Sequence, residues 1–94
     1  MLICDAISRR QMVSFFYGGS RPGMRQIEPH MLWYDKAGRL NLLGWQVSGG
    51  SGSGWRDFHM AELAELAMTG HGFPGARPGY NPDKPDLSRV VCRL

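Results

Sequence analysis

His30, Trp45 and Tyr17 are residues of this chain whose types and neighbours suit chemistry at a surface. His30 follows an acid and a proline in "RQIEPH", Trp45 closes "NLLGW", and Tyr17 ends "QMVSFFY" just before a glycine pair. An imidazole near an indole can hydrogen-bond a base edge or a phosphate. A tyrosine on the shoulder of an open loop offers a stacking platform, and so does an indole. Each has a plainer reading. His30 could donate to a backbone carbonyl beside a bend, Tyr17 could pack at the core edge with its hydroxyl in water, and Trp45 could be core. Sequence alone leaves both readings open.

The cations lean the same way. Nine arginines stand against two lysines, with a formal net charge of +3. Arginine suits bidentate contact with phosphate or carboxylate and stacking on flat rings. The excess is modest, so charge alone raises the case for an anionic partner only slightly. Catalysis finds little support: no nucleophile elbow occurs, and "GGSGSG" lacks the Lys-Ser/Thr ending of a phosphate loop. Three histidines and two cysteines fall at no zinc spacing, so neither a metal nor a cofactor is expected.

The elements that must position these residues follow from pattern. Leu2, Ile3, Ala6 and Ile7 have helical spacing, with Arg9 and Arg10 in the last turn where the helix dipole favours cations. "QMVSFFY" reads as a strand and "SRPG" as the turn after it. Arg25–Gln46 reads as a hairpin closed by the four-residue loop Asp35–Gly38, which pairs Tyr34 with Arg39. That register puts Ile27, Met31, Trp33, Leu40 and Leu42 on a core face. Glu28, His30, Leu32, Asn41, Leu43 and Trp45 then form a mixed face. Pro29 cannot donate to a ladder and marks an edge, a bulge or a sharp bend, as a curved barrel needs. Ser48–Gly54 is a Gly/Ser loop that cannot order itself alone. "WRDFH" is a strand, Met60–Leu63 a turn of helix, Glu65–Thr69 a strand, Gly70–Pro85 a loop and "SRVVCRL" a last strand.

Ninety-four residues with a 43% hydrophobic fraction make one domain, residues 1–94. No apolar run is long enough to span a membrane, and no signal peptide opens the chain. The expected compartment is the cytoplasm, and Cys4 and Cys92 are expected there as two small buried thiols rather than a disulfide.

In this order the elements resemble the WYL domain, a small Sm-like barrel found mostly in bacterial regulators, over roughly residues 3–73. "AISRRQMVSFFYGG" is similar to the family's helix end and first strand, and "RQIEPHMLWY" to its R-x-V-E-P-x-x-L-x-Y segment. "GRLNLLGW" stands where the family has G-x-W-Y-L-x-A-Y, with Leu40-Asn41-Leu42 in place of the name-giving tripeptide. "WRDFHMAEL" stands at R-T-F-R-L-D-R-I.

The resemblance implies a mainly β (α+β) fold: a strongly bent Sm-like β-barrel of about five strands with a short N-terminal helix. It also implies a non-catalytic regulatory or sensor module for nucleic acid or nucleotide-like ligands. By motif match Arg56 becomes an anion-binding residue; its plainer reading is a surface arginine bridging Asp57 or Glu28. Arg25 likewise matches a family arginine, or is a solvated strand-end charge. His59 replaces a family arginine. Trp55 beside the Gly/Ser loop is a lid or an anchor. The candidate site is therefore Arg56, Arg25, His30, Tyr17, Trp45 and His59. Partners in view are single-stranded nucleic acid or a nucleotide-like ligand, a regulatory protein, and a second copy of the chain. The rival reading is an interaction or oligomerisation module with no small ligand, using "SRVVCRL" as an exposed sheet edge.

Overall fold

A computed structural model describes residues 1–18, 23–83 and 87–94 of the chain. The turn expected at residues 20–23 lies almost wholly outside them. Helix α1 (Leu2–Arg9) forms as its spacing predicts, burying Ile3, Ala6 and Ile7 along one stripe. It ends at Arg10, whose left-handed backbone (φ 52°) turns its N–H onto the carbonyls of Ala6 and Ile7.

Six strands follow: β1 (Gln11–Tyr17), β2 (Met24–Asp35), β3 (Leu40–Ser48), β4 (Gly54–His59), β5 (Leu63–Gly72) and β6 (Leu87–Arg93). All described pairings are antiparallel, in the order β4-β3-β2-β1-β5, with β6 added to β2. The mainly β fold with a short N-terminal helix is the one expected. It has one strand more than the five foreseen, and the sheet stays open, a 3-10 turn at Met60–Glu62 linking β4 to β5.

Strand β2 organises the rest. Its first residues, Met24–Ile27, pair with β1, and Met31–Asp35 pair with β6, while β3 runs along both parts. One edge of β2 therefore serves two strands in succession. The changeover falls at Glu28–His30, where the β3 register slips between Pro29 and Met31 and leaves His30 as the extra, bulged residue. Pro29 marks a bulge, one of the three outcomes its sequence allowed. Gly44 lies opposite, and a Cβ there would overlap Ile27 Cγ2 and come within 2.9 Å of the Glu28 carbonyl oxygen.

The hairpin register corrects the sequence reading. Tyr34 pairs with Leu40, not Arg39, because the Asp35 carboxylate takes the N–H groups of Ala37 and Arg39, each at 3.0 Å, and fixes a Lys36–Arg39 loop. Together with the bulge this exchanges Leu32 for Met31 and Trp33. Leu32 joins Leu42, Ile27, Phe15, Phe58 and the α1 residues in the main core. Met31, Trp33 and Leu43 form a second cluster, packed against Trp55, Tyr80 and Val90.

"MAELAELAM" takes the turn of helix and then the strand expected of it, with shifted bounds. After the 3-10 turn it is strand from Leu63 onward, and Glu65 (φ 56°) accommodates an irregularity in the pairing with β1. The irregular stretch thus starts at Phe73, not Gly70.

Cys4 and Cys92 are joined as a disulfide, which corrects the expectation of two free thiols. Helix α1 and β6 lie side by side, and the Cα atoms are 5.7 Å apart, within bridging reach. With a sequence separation of 88, chain-entropy arguments give ~4–5 kcal/mol of stabilisation, and measured losses for such bonds run about 2–5 kcal/mol. Cys92→Ser should lower the unfolding free energy from urea titration by that amount, and reduction of the unaltered protein should do the same. Gly44→Ala should cost about 1–3 kcal/mol in the same assay through overpacking.

Candidate functional site

Three candidates, Arg25, Tyr17 and Arg56, gather at one end of the main core. The Arg25 guanidinium lies 5.7 Å from the Tyr17 ring and 5.9 Å from the Phe58 ring, and its Nη1 donates to Gln46 Oε1 at 3.0 Å. Gln46 is fully buried, and its Nε2 donates to the carbonyls of Gly49 (2.8 Å) and Gly52 (2.6 Å). Arg56 grips the same loop: Nη2 donates to Ser51 Oγ at 2.8 Å and Gly52 O at 3.2 Å, and Nη1 to Trp55 O at 2.8 Å. The Gly/Ser loop cannot order itself, and these three side chains order it. The bridges to Asp57 or Glu28 that the sequence allowed for Arg56 are not the ones made.

Tyr17 is a brace. Its ring meets Phe15 and Phe58 edge-on, its hydroxyl donates to Glu62 Oε2 at 3.2 Å, and it accepts the His59 N–H at 3.0 Å. Burial raises its pKa above 10.0. The His59 ring bonds Asn41 Oδ1 at 2.6 Å. The Asn41 amide nitrogen already donates to Asp35 Oδ2 and Arg39 O, so His59 Nδ1 carries the proton. Asp35, receiving the Arg39 and Ala37 N–H groups and the Asn41 amide, has its pKa lowered to about 2.

His30 and Trp45 belong elsewhere, beneath a strap formed by residues 73–83. Glu28 is 4% exposed, and both its oxygens are taken by Arg77: Nε to Oε1 at 2.7 Å and Nη2 to Oε2 at 3.0 Å. The Arg77 guanidinium also stands 4.9 Å from the centre of the Trp45 ring. Its pKa is raised, chiefly by the hydrogen bonds to Glu28. His30 is fully buried, with Nε2 accepting the Arg77 backbone N–H at 3.0 Å, so Nδ1 holds the proton and donates to the Glu28 carbonyl at 2.8 Å. The plainer reading of His30 is the one found. Burial pushes its pKa below 6.5, against the opposing pull of Glu28.

Between strap and hairpin opens a cavity of about 310 Å³, walled by Leu43, Trp55, Arg56, Asp57, Tyr80 and Asn81. The Trp55 and Tyr80 rings stack at 6.1 Å, 25° from parallel. Gly79 completes the wall: its φ of 89° suits glycine, and a Cβ would press within 3.2 Å of Trp55 Nε1. Of the six candidates only Arg56 lines this cavity. Trp55, left between a lid and an anchor for the Gly/Ser loop, packs instead against Tyr80 and Gly79 of the strap. A second depression, of about 340 Å³, lies at the hairpin tip between Tyr34, Lys36 and Arg89, but its carboxylate, Asp35, is already engaged by Arg39 and Asn41. Sequence reasoning missed Gln46, Arg77 and Tyr80. A polar residue at a core-facing period could have flagged Gln46; nothing local ties Arg77 to Glu28, 49 residues away. Among the described residues no cluster of metal-ligating side chains occurs, and no helix is long and apolar enough to cross a membrane.

No family model matches the chain, and no curated protein matches it significantly. Among solved structures, proteasome accessory factor B/C (PafBC) of Arthrobacter aurescens is similar, with 20% identity and a TM-score of 0.71. The match covers 86% of this chain and 13% of that one. At this identity the likeness shows a shared fold.

The buried His30 gives the protein a pH limb of defined sign. Its folded pKa lies below its ordinary 6.5, so the unfolded chain takes the proton first. Stability should be intact above about pH 6.5 and fall as pH drops through the window beneath it. The Asp35 contribution is present above 3.8 and lost as pH falls toward 2. Urea midpoints from pH 8 to pH 4 should show the first limb, and His30→Gln should remove it.

Proposed function

We propose that this domain is a non-catalytic regulatory or sensor module that binds nucleic acid or a nucleotide-like anion at the Trp55–Tyr80 cavity. The observation that carries the reading is the setting of Arg56. Among the described residues its guanidinium meets only neutral oxygens, on a wall shared with two parallel aromatic rings. A phosphate can replace Ser51 Oγ and Gly52 O as a charge-assisted partner, and a flat base can slide against the rings.

The WYL resemblance and the fold shared with a segment of the accessory factor agree with a regulatory role. Arg25 acts here through the loop, holding Gln46 in place, and His30 and Trp45 act by seating the strap. Catalysis has no place in the proposal. A rival use of the fold is self-association: β6 pairs with β2 along one edge, and its Val91 is 39% exposed.

Fluorescence anisotropy of labelled short single-stranded DNA and RNA should show saturable binding that weakens between low and near-physiological salt. Arg56→Ala should weaken it about 10–100-fold, the worth of one charged hydrogen-bonding contact, with little change in thermal midpoint. Equal loss of binding and stability would remove Arg56 from the site. Absence of binding at tens of micromolar, with a sizing-column shift that grows with protein concentration, would favour self-association.

A further inference from the structure

The Arg77 contacts have the form of a receptor and its ligand. Glu28 and Trp45 are partners across the β2–β3 ladder, so the carboxylate and the indole face are set by the sheet and not by the strap. The His30 ring acceptor, also on β2, adds a third point. One arginine residue is thereby held at its guanidinium fork, its cationic face and its backbone N–H. Lysine could not reproduce this, since the carboxylate is engaged by two parallel N–H donors.

We infer that Glu28, Trp45 and His30 form a guanidinium-binding pocket, filled in cis by Arg77, from which arginine-like compounds can displace the strap. With the strap in place Glu28 is 4% exposed, and both its oxygens are matched by one guanidinium, which an arginine-like compound can match in the same way. The Arg77 side chain is 40% exposed, so a competitor has a route in. Besides Arg77 the strap is held by the Phe73 N–H on Arg10 O at 2.9 Å, by Tyr80 Oη on His30 O at 3.3 Å, and by ring packing. Those holds keep it tethered while the latch exchanges. Because the strap carries Gly79, Tyr80 and Asn81, latch opening would dismantle one wall of the cavity. That consequence rests on the binding reading above; the pocket does not.

The test uses the full chain and no nucleic acid, so its outcome is separable from that of the binding reading. Arg77→Ala should lower the thermal midpoint, and millimolar methylguanidinium should restore it saturably, with a matching change in tryptophan fluorescence. Methylammonium at equal ionic strength should not, and a Glu28→Gln/Arg77→Ala protein should not respond. Equal rescue by methylammonium, equal response of the double variant, or no rescue of a folded Arg77→Ala protein would overturn the inference. If that variant does not fold, the unaltered protein decides. N-acetyl-arginine methylamide should then speed amide exchange in residues 73–83 while the β1–β2 amides stay protected, and unchanged exchange would overturn it.

Discussion

One residue out of register holds this molecule together. His30, the bulged residue of β2, is buried, and all its polar side-chain and carbonyl groups are used: Nδ1–H on Glu28 O, Nε2 on the Arg77 N–H, and its carbonyl on the Leu94 N–H at 2.9 Å and the Tyr80 hydroxyl. An unmet polar atom at such a place costs about 1–3 kcal/mol, more than a typical hydrogen bond contributes. The strap and Leu94 therefore stabilise the bulge. In turn the bulge lets one edge of β2 pass from β1 to β6. Sheet, strap and C-terminal strand meet at this one residue.

That dependence explains the two-sided hairpin. A solvated outer face would suit a small antiparallel sheet. Here both faces carry large apolar groups: Ile27, Leu32 and Leu42 on one, and Met31, Trp33 and Leu43 on the other. The first face is covered by α1 and the curl of the sheet. Among the described residues the second is covered by the strap, Trp55 and Val90, and an irregular segment holds such a post through specific polar anchors. Glu28–Arg77 and His30 provide them. The disulfide fastens β6 from the far side.

Local features of the fold were readable and non-local ones were not. The helix, the strands β1 to β4 and the 3-10 turn follow from hydrophobic period and turn residues, which act within a few positions. The hairpin register failed by one residue because a side chain, Asp35, decided the turn. A one-residue slip moves a whole strand to the other face, and Leu32, Met31 and Trp33 changed places accordingly. The Cys4–Cys92 link depends on two chain ends meeting in space, and the strap on pairs 47 to 50 residues apart. Site reasoning followed the same division. Of the residues the motif match singles out, Arg56 lies on the cavity wall, while Arg25, Tyr17 and His59 bond to neighbouring side chains and backbone away from it.

The contrast between Arg56 and Arg77 is what turns the map of contacts into a functional argument. Both guanidinium groups lie beside tryptophans, yet their electrostatics are opposite. Arg77 is neutralised by a nearly buried carboxylate, and a phosphate arriving there would meet Glu28 as well. Arg56 is held by a hydroxyl and two carbonyls, dipoles that orient the fork without cancelling its charge. At a partly desolvated wall, exchanging a neutral acceptor for an anion gains several times the Coulomb energy available in bulk water. Desolvation of the anion returns part of that gain, and ring stacking offsets it again. An anion with a flat group attached satisfies both terms, and simple phosphate satisfies only one. Trp55 and Arg56 belong to the sheet, whereas Tyr80, across the cavity from them, belongs to the strap.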